Sequence, residues 1–254
     1  MNSIVLCEGS DDLWFVAYYL HKTAGWNECK NPKRFWKNYR LAELNDKQSI
    51  KYFSKDKDCV AIWSVSGKDG FSEAISTITN KFIAEMPADA PEAIVILRDR
   101  DDESERDVVS KIEEYFSKKV SLKNKESSIY IDEVDDIKVS IAITPVIVPF
   151  DKHGAIETVF IEAVKEKGDE EAAVVNEANN YIDCLVDSTN VGIKYLNHER
   201  LILKARYASV IAATNPDHST ALFQEMVMAC PWESSEYVAR NFGIIAEAVT
   251  SQLV

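Results

Sequence analysis

The sequence predicts an α/β fold: a doubly wound, mainly parallel sheet of about four or five strands flanked by helices, with an α-helical C-terminal extension. Three observations carry that reading. Strongly β-branched runs alternate with segments of helical period up to about residue 150. Two of those runs lead straight into acidic turns: Ser3-Ile4-Val5-Leu6-Cys7 into Glu8-Gly9-Ser10-Asp11-Asp12, and Ala93-Ile94-Val95-Ile96-Leu97 into Arg98-Asp99-Arg100-Asp101-Asp102. Beyond Gly154 the apolar spacing is helical almost throughout. Alternation followed by helices alone gives an open sheet with a helical appendage. The chain therefore divides into an α/β domain over residues 1–150, interrupted by an insertion at about 25–58, and a helical extension over 151–254 packed on it.

The elements follow in order. The first strand precedes a helix from Ser10 to Thr23, where Leu13, Val16, Ala17 and Leu20 repeat at helical spacing. Gly25, Asn31-Pro32 and Asn45-Asp46-Lys47 break the period, so the insertion reads as one or two short helices. Cys59–Val65 is a second strand, ending at Ser66-Gly67-Lys68-Asp69-Gly70, with a helix from about Phe71 to Met86 behind it. Pro87 and Pro91 end that helix and introduce the strand at Ile94–Leu97. Glu103 and Glu105 open a helix that runs to about Lys119, with Lys118 and Lys119 at its end as the macrodipole prefers. Ser128–Asp132 and Val139–Val148 are strands joined by an acidic turn, and Pro145 places the middle of the second at a bend or an edge. The aromatics Tyr195, Tyr207, Phe223, Trp232, Tyr237 and Phe242 of the extension are expected to pack.

Composition narrows the classes. At 254 residues the chain can bury a sizeable core. No run approaches the about 20 apolar residues of a bilayer span. The N-terminus has no signal-type segment, so a cytoplasmic protein is expected, away from membranes. Five cysteines are scattered without a C-x-x-C pair or a nearby histidine, which argues against structural zinc. A net charge of −13 repels phosphate, so contact with nucleic acid needs a local basic patch. One stretch supplies that pattern. Lys30 to Arg40 holds five basic residues and three aromatics without an acid, and Lys33, Arg34, Trp36, Lys37 and Arg40 are its candidate contacts. The plain alternative is that its rings anchor the insertion on the core while its lysines face water.

The chemistry is concentrated at strand ends, where open α/β sheets place their ligands. Carboxylates converging there repel one another, and a hard divalent cation between them is the economical compensation. Gly67-Lys68 lacks the first glycine and the Ser or Thr of a Walker motif, and is read as a βα turn whose amides approach a phosphate. No G-x-G-x-x-G occurs.

Strand–Glu-Gly-x-x-Asp–helix, strand–Gly-Lys–helix and strand–Asp-x-Asp–helix, in that order, resemble the Toprim domain. That is the metal-dependent fold shared by topoisomerases, DnaG-type primases and nucleases of the overcoming-lysogenization-defect group. The resemblance rests on Glu8, Gly9, Asp12, Gly67, Lys68, Asp99 and Asp101, and covers roughly residues 1 to 150. It implies Glu8 as general acid or base, and Asp99 and Asp101, with Glu8 and Asp12 beside them, as ligands of one or two Mg²⁺ or Mn²⁺ ions. Gly154-Ala155-Ile156-Glu157 resembles the Gly-x-x-Glu element of nuclease-type relatives, which makes Glu157 a further metal ligand; a helix N-terminal acid is the alternative. Lys204 resembles a catalytic lysine that such relatives contribute from beyond the core, with a solvated helical lysine as its alternative.

Two functions follow from that resemblance. The first is a Mg²⁺-dependent nuclease acting on DNA or RNA, with a separately encoded ATPase as partner by family analogy. The second is a metal- or nucleotide-binding regulatory module that keeps the fold without turnover. A haloacid-dehalogenase phosphatase is disfavoured, because its Asp-x-Asp belongs after the first strand and here it follows the third.

Overall fold

A computed structural model describes residues 1–36, 41–187, 192 and 194–250. By its internal contacts the chain forms two compact units. One comprises Met1–Arg98, Glu103–Ile147 and Phe242–Val254, and the other Asp99–Asp102 with Val148–Asn241.

The first unit is built on a seven-stranded mixed sheet, where about four or five strands are expected from the sequence. Its strands are β1 (Asn2–Cys7), β2 (Asn27–Glu28), β3 (Ser49–Lys55), β4 (Asp58–Ser64), β5 (Ala93–Asp99), β6 (Ser128–Val134) and β7 (Ile137–Val148), in the order β2-β3-β4-β1-β5-β7-β6. Parallel pairing holds the centre, β4-β1-β5, whereas β2-β3-β4 and β7-β6 pair antiparallel. The two unanticipated strands, β2 and β3, both lie in the insertion, which among the described residues also holds one short 3₁₀ helix, Pro32–Arg34. In β3, Ile50 and Tyr52 pack against the core while Lys51 and Lys55 interrupt the apolar run, so the two-residue alternation is diluted by charge. Pro145 lies in β7 beyond the last residue paired to β6, the Ser128↔Ile143 pair. The loop before β6 serves that stretch instead: Lys125 N donates to Pro145 O and Ile147 N to Asn124 Oδ1. The missing proline N–H thus falls at a locally uncovered edge.

Strand alternation gives the sheet two apolar faces. Ile4, Leu6, Ala61, Trp63, Ile94 and Ile96 share one core with Phe71 and Ile75 of α2 (Gly70–Ile78) and Val108 and Ile112 of α3 (Glu105–Tyr115). The alternate residues Val5, Ile62 and Val95 turn to the other face, where α1 (Ser10–Ala24) contacts β1 and β4. Phe15 of α1 meets Phe242 edge to face, ring centroids 4.7 Å apart. Helix ends follow local chemistry. Asp12 Oδ2 accepts from Gly9 N and α1 stops at Gly25, φ 74°, while Ser104 caps α3 by accepting from Asp107 N.

The second unit is helical: α4 (Ile156–Lys165), α5 (Asp169–Asp187), α6 (Glu199–Thr214), α7 (Phe223–Ala229) and the start of α8 (Glu236–Ala248). Helices α4, α5 and α6 pack on one another, and Phe160 of α4 collects Tyr207, Phe223 and Trp232 around it. Tyr195 departs from the expected packing; it is largely exposed, with Lys194 over its ring. No helix among the described residues is long and apolar enough to cross a membrane.

Candidate functional site

In the second unit, two acidic segments distant in sequence are laid side by side. Asp101 and Gly154 form an isolated antiparallel bridge, with Asp101 N donating to Gly154 O at 2.6 Å and Gly154 N to Asp101 O at 2.8 Å. Next to it Ile156 N, the first amide of α4, donates to Asp99 Oδ1 at 3.1 Å. The local sequence explains why. Ala155 stands at the N-cap of α4 and has no side-chain acceptor, so the buried carboxylate of Asp99 takes one of the open amides. Gly154 has φ 139°, and a Cβ there would collide with the Thr158 hydroxyl, which accepts from Ala155 N.

Glu157 lies in the first turn of α4, where the helix dipole favours its charge. Its Oε1 is 3.7 Å from Nζ of Lys204, a side chain 49% exposed on α6. The structure thus brings the Asp99–Asp101 run, Glu157 and Lys204 into one neighbourhood of this unit. Asp101 (φ 49°) and Asp102 also edge an open cavity of about 560 Å³ lined by residues of α4, α5 and α6.

In the first unit, Glu8 follows β1 and is almost fully buried. Its Oε1 lies 3.6 Å from Nε of Arg98, itself 1% exposed beneath the ring of Phe71. Arg98 Nη2 reaches Glu103 Oε1 at 3.3 Å, where Lys68 Nζ also donates at 3.0 Å, and Lys111 donates to Glu103 Oε2. Burial pushes the Glu103 carboxyl up, but the hydrogen bonds from Lys111 and Lys68 and the charges of Lys68 and Arg98 outweigh it, holding the group down at about 2.

Arg98 and Glu103 were not singled out from the sequence as site residues. The available signal was parity: Arg98 continues the Ile94, Ile96 face and is a cation on an apolar row. Along α6, Arg200, Leu203 and Arg206 recur every three residues on the cavity side, a pattern also present in the sequence.

The remaining expected residues fall as follows. Asp12 accepts the Gly9 amide at the start of α1. Gly67, φ 96°, donates its amide to Glu8 O at 2.7 Å, so that amide serves the turn and is not offered to a phosphate. Lys68 is engaged with Glu103. Lys33 and Arg34 are exposed, but Trp36 is 3% exposed and packs on Phe82 with ring centroids 5.4 Å apart. A stacking role for Trp36 is corrected by that burial; its ring anchors the insertion. Lys37 and Arg40 lie outside the described residues.

The oxygen donors Asp99, Asp101 and Glu157 suit a hard cation. Among the described residues no three His, Cys, Asp or Glu side chains are grouped so as to hold a metal ion. Any ion bound here would have to be held through one or two carboxylates, with water and substrate phosphate completing its shell.

Fold and site together define an α/β protein with a helical unit and paired acidic turns. The chain belongs to the family described as "Protein of unknown function (DUF3226)", which matches residues 2–242. Among solved structures it is similar to a hypothetical protein PH0156 from Pyrococcus horikoshii OT3, with 15% identity, TM-score 0.45, and coverage of 91% of this chain and 97% of that one. A second, the cytosolic domain of L. pneumophila FeoB, matches with 10% identity, TM-score 0.22, and coverage of 98% and 94%. Neither likeness is close enough to bear on fold or function. A search of curated proteins gave no match.

Proposed function

We propose that this protein is a Mg²⁺- or Mn²⁺-dependent nuclease of Toprim type that hydrolyses phosphodiesters in DNA or RNA. The observation that supports this most is the Asp101–Gly154 bridge, which sets Asp99 and Asp101 beside the Glu157 turn. A divalent ion held there would polarise a phosphoryl oxygen and offset the charge that develops as the bond breaks. The α4 amide fixes the Asp99 carboxylate in place. Lys204, an ammonium beside Glu157, is positioned to neutralise charge on a phosphate. Glu8, general acid or base in this reading, belongs to the first unit, and its part is tested by its own variant.

A non-catalytic metal- or nucleotide-binding module is the competing reading. One observation favours it: the described acids are not grouped as a three-ligand site. Labelled single- and double-stranded DNA and RNA, incubated with Mg²⁺ or Mn²⁺, separate the two. The nuclease reading expects metal-dependent cleavage that falls on the order of 10²-fold in Asp101→Asn, Glu157→Gln and Glu8→Gln, with melting temperatures retained. Manganese binding without cleavage of any substrate favours the module. Cleavage unchanged in Asp101→Asn and Glu157→Gln removes the activity from these residues.

A further inference from the structure

The cavity beside Asp101 has a wall chemistry that the metal reading does not use. It lies within the second unit, and its volume of about 560 Å³ is in the range that encloses one small molecule or one unit of a polymer. Two buried polar atoms on the wall, Asn179 Oδ1 and Arg206 Nε, make no hydrogen bond among the described residues. One is an acceptor and the other a donor, and buried groups of either kind are ordinarily paired. Ile161 and Leu203 add apolar surface, Arg200 and His198 stand at the same cavity, and the acids Asp101, Asp102, Glu162 and Glu199 line it too, Glu162 paired with Lys152. Among the described residues no carboxylate pairs with Arg200.

An apolar surface, an unmet donor–acceptor pair and a cation at one rim match a flat heteroaromatic ring joined to a phosphate. We infer that the cavity binds a single nucleotide unit, its base between Ile161 and Leu203 and within reach of Asn179 and Arg206, its phosphate at Arg200. Such a unit has two sources, the terminal residue of a strand or a free mononucleotide. In the first case the inference rests on the nuclease reading and makes the enzyme one that works from strand ends. A long duplex is a poor fit, since the chain carries net charge −13.

The test is calorimetric titration of the full chain with nucleoside 5′- and 3′-monophosphates in EDTA, which removes the metal from the question. Wild type is expected to bind a monophosphate roughly tenfold or more tighter than the nucleoside or inorganic phosphate alone. Arg200→Ala should weaken the monophosphate by roughly tenfold and leave the nucleoside unchanged, the size expected for one charged hydrogen bond. Leu203→Trp, which fills the hollow, should abolish both. Arg200 is exposed, so its variant remains informative if the tryptophan variant does not fold. No monophosphate binding by wild type, or wild-type binding by Arg200→Ala, overturns the inference.

Linear and circularised single strands distinguish the sources. Cleavage of linear strands only, inhibited by the monophosphate, assigns the terminal residue. Monophosphate binding without end-dependent cleavage assigns the free nucleotide, and if no strand is cut at all the nuclease reading fails while the cavity stands. Cleavage of both forms without monophosphate binding sinks the cavity and leaves the nuclease.

Discussion

Replacing Glu103 by Gln removes one negative charge from the centre of three cations. In the folded protein Lys111, Lys68 and Arg98 hold this carboxyl at about 2, against 4.5 for the free group. One pKa unit corresponds to about 1.4 kcal/mol, so the shift is equivalent to at most about 3.5 kcal/mol of stability at neutral pH. Glu103 is 16% exposed and Lys111 52%, so solvent screening reduces that to about 1–2 kcal/mol.

The pH dependence has a definite sign. A carboxyl whose folded pKa is depressed stabilises fully above its unfolded value, and that stabilisation disappears as pH falls from 4.5 through about 2. Glu103→Gln should therefore be less stable than wild type by about 1–2 kcal/mol at pH 7, with the gap closing across that acid window. Urea unfolding at a series of pH values, with m unchanged, reads both quantities. A gap that stays constant through the acid range, or none at pH 7, refutes the claim that this network holds Glu103 ionised.

Three further outcomes follow from the geometry. Gly154→Ala forces a side chain into a left-handed backbone and against Thr158, and should cost about 1–3 kcal/mol in unfolding free energy while lowering any metal-dependent activity; a variant equal to wild type in both removes the bridge from the argument. Trp36→Ala should destabilise by about 3–5 kcal/mol, as a large core truncation, and at low temperature leave nucleic-acid affinity unchanged in a filter-binding assay; weaker binding by the folded variant would restore a stacking role. Lys204→Ala removes the cation beside Glu157, so manganese titration should give tighter metal binding while cleavage falls; looser metal binding would mean that Lys204 does not compete with the ion.

Much of the central sheet was legible because β1, β4 and β5 are buried on both faces and read as unbroken apolar runs. The same logic failed for β3, where lysines alternate with Ile50, Tyr52 and Phe53, and for β2, which is only two exposed residues long. The helix predicted to reach Met86 is α-helical only to Ile78 and then widens into a π-turn over Thr79–Ile83, a change of hydrogen-bond register that leaves no mark on apolar spacing. At the candidate site, Asp99, Asp101 and Glu157 could be picked out by their positions after strands and at a helix start. The Asp99–Ile156 hydrogen bond could not, because it depends on Ala155 being unable to cap and on a carboxylate 57 residues away in sequence doing so. Arg98 was hidden by the opposite problem: a cation between Leu97 and Asp99 looks like the solvated end of a strand until its side chain is seen at 1% exposure.

That difference bears on the chemistry. Acids at strand ends suggest a metal because like charges repel, yet here several of the carboxylates have compensation from the protein itself. Asp99 takes an α4 amide, Glu157 gains from the same helix terminus and from Lys204, and Glu8 and Glu103 share Arg98. Neutralisation of those carboxylates therefore does not require an ion, and what would favour magnesium is the oxygen donor type and the phosphate that would complete its shell. An ion entering beside Glu157 would also have to compete with Lys204, leaving that ammonium available to a phosphate oxygen. In the proposed reaction, metal and substrate would reinforce each other: an ion would take over the neutralisation of Glu157, and Lys204 would then be free to meet the phosphate.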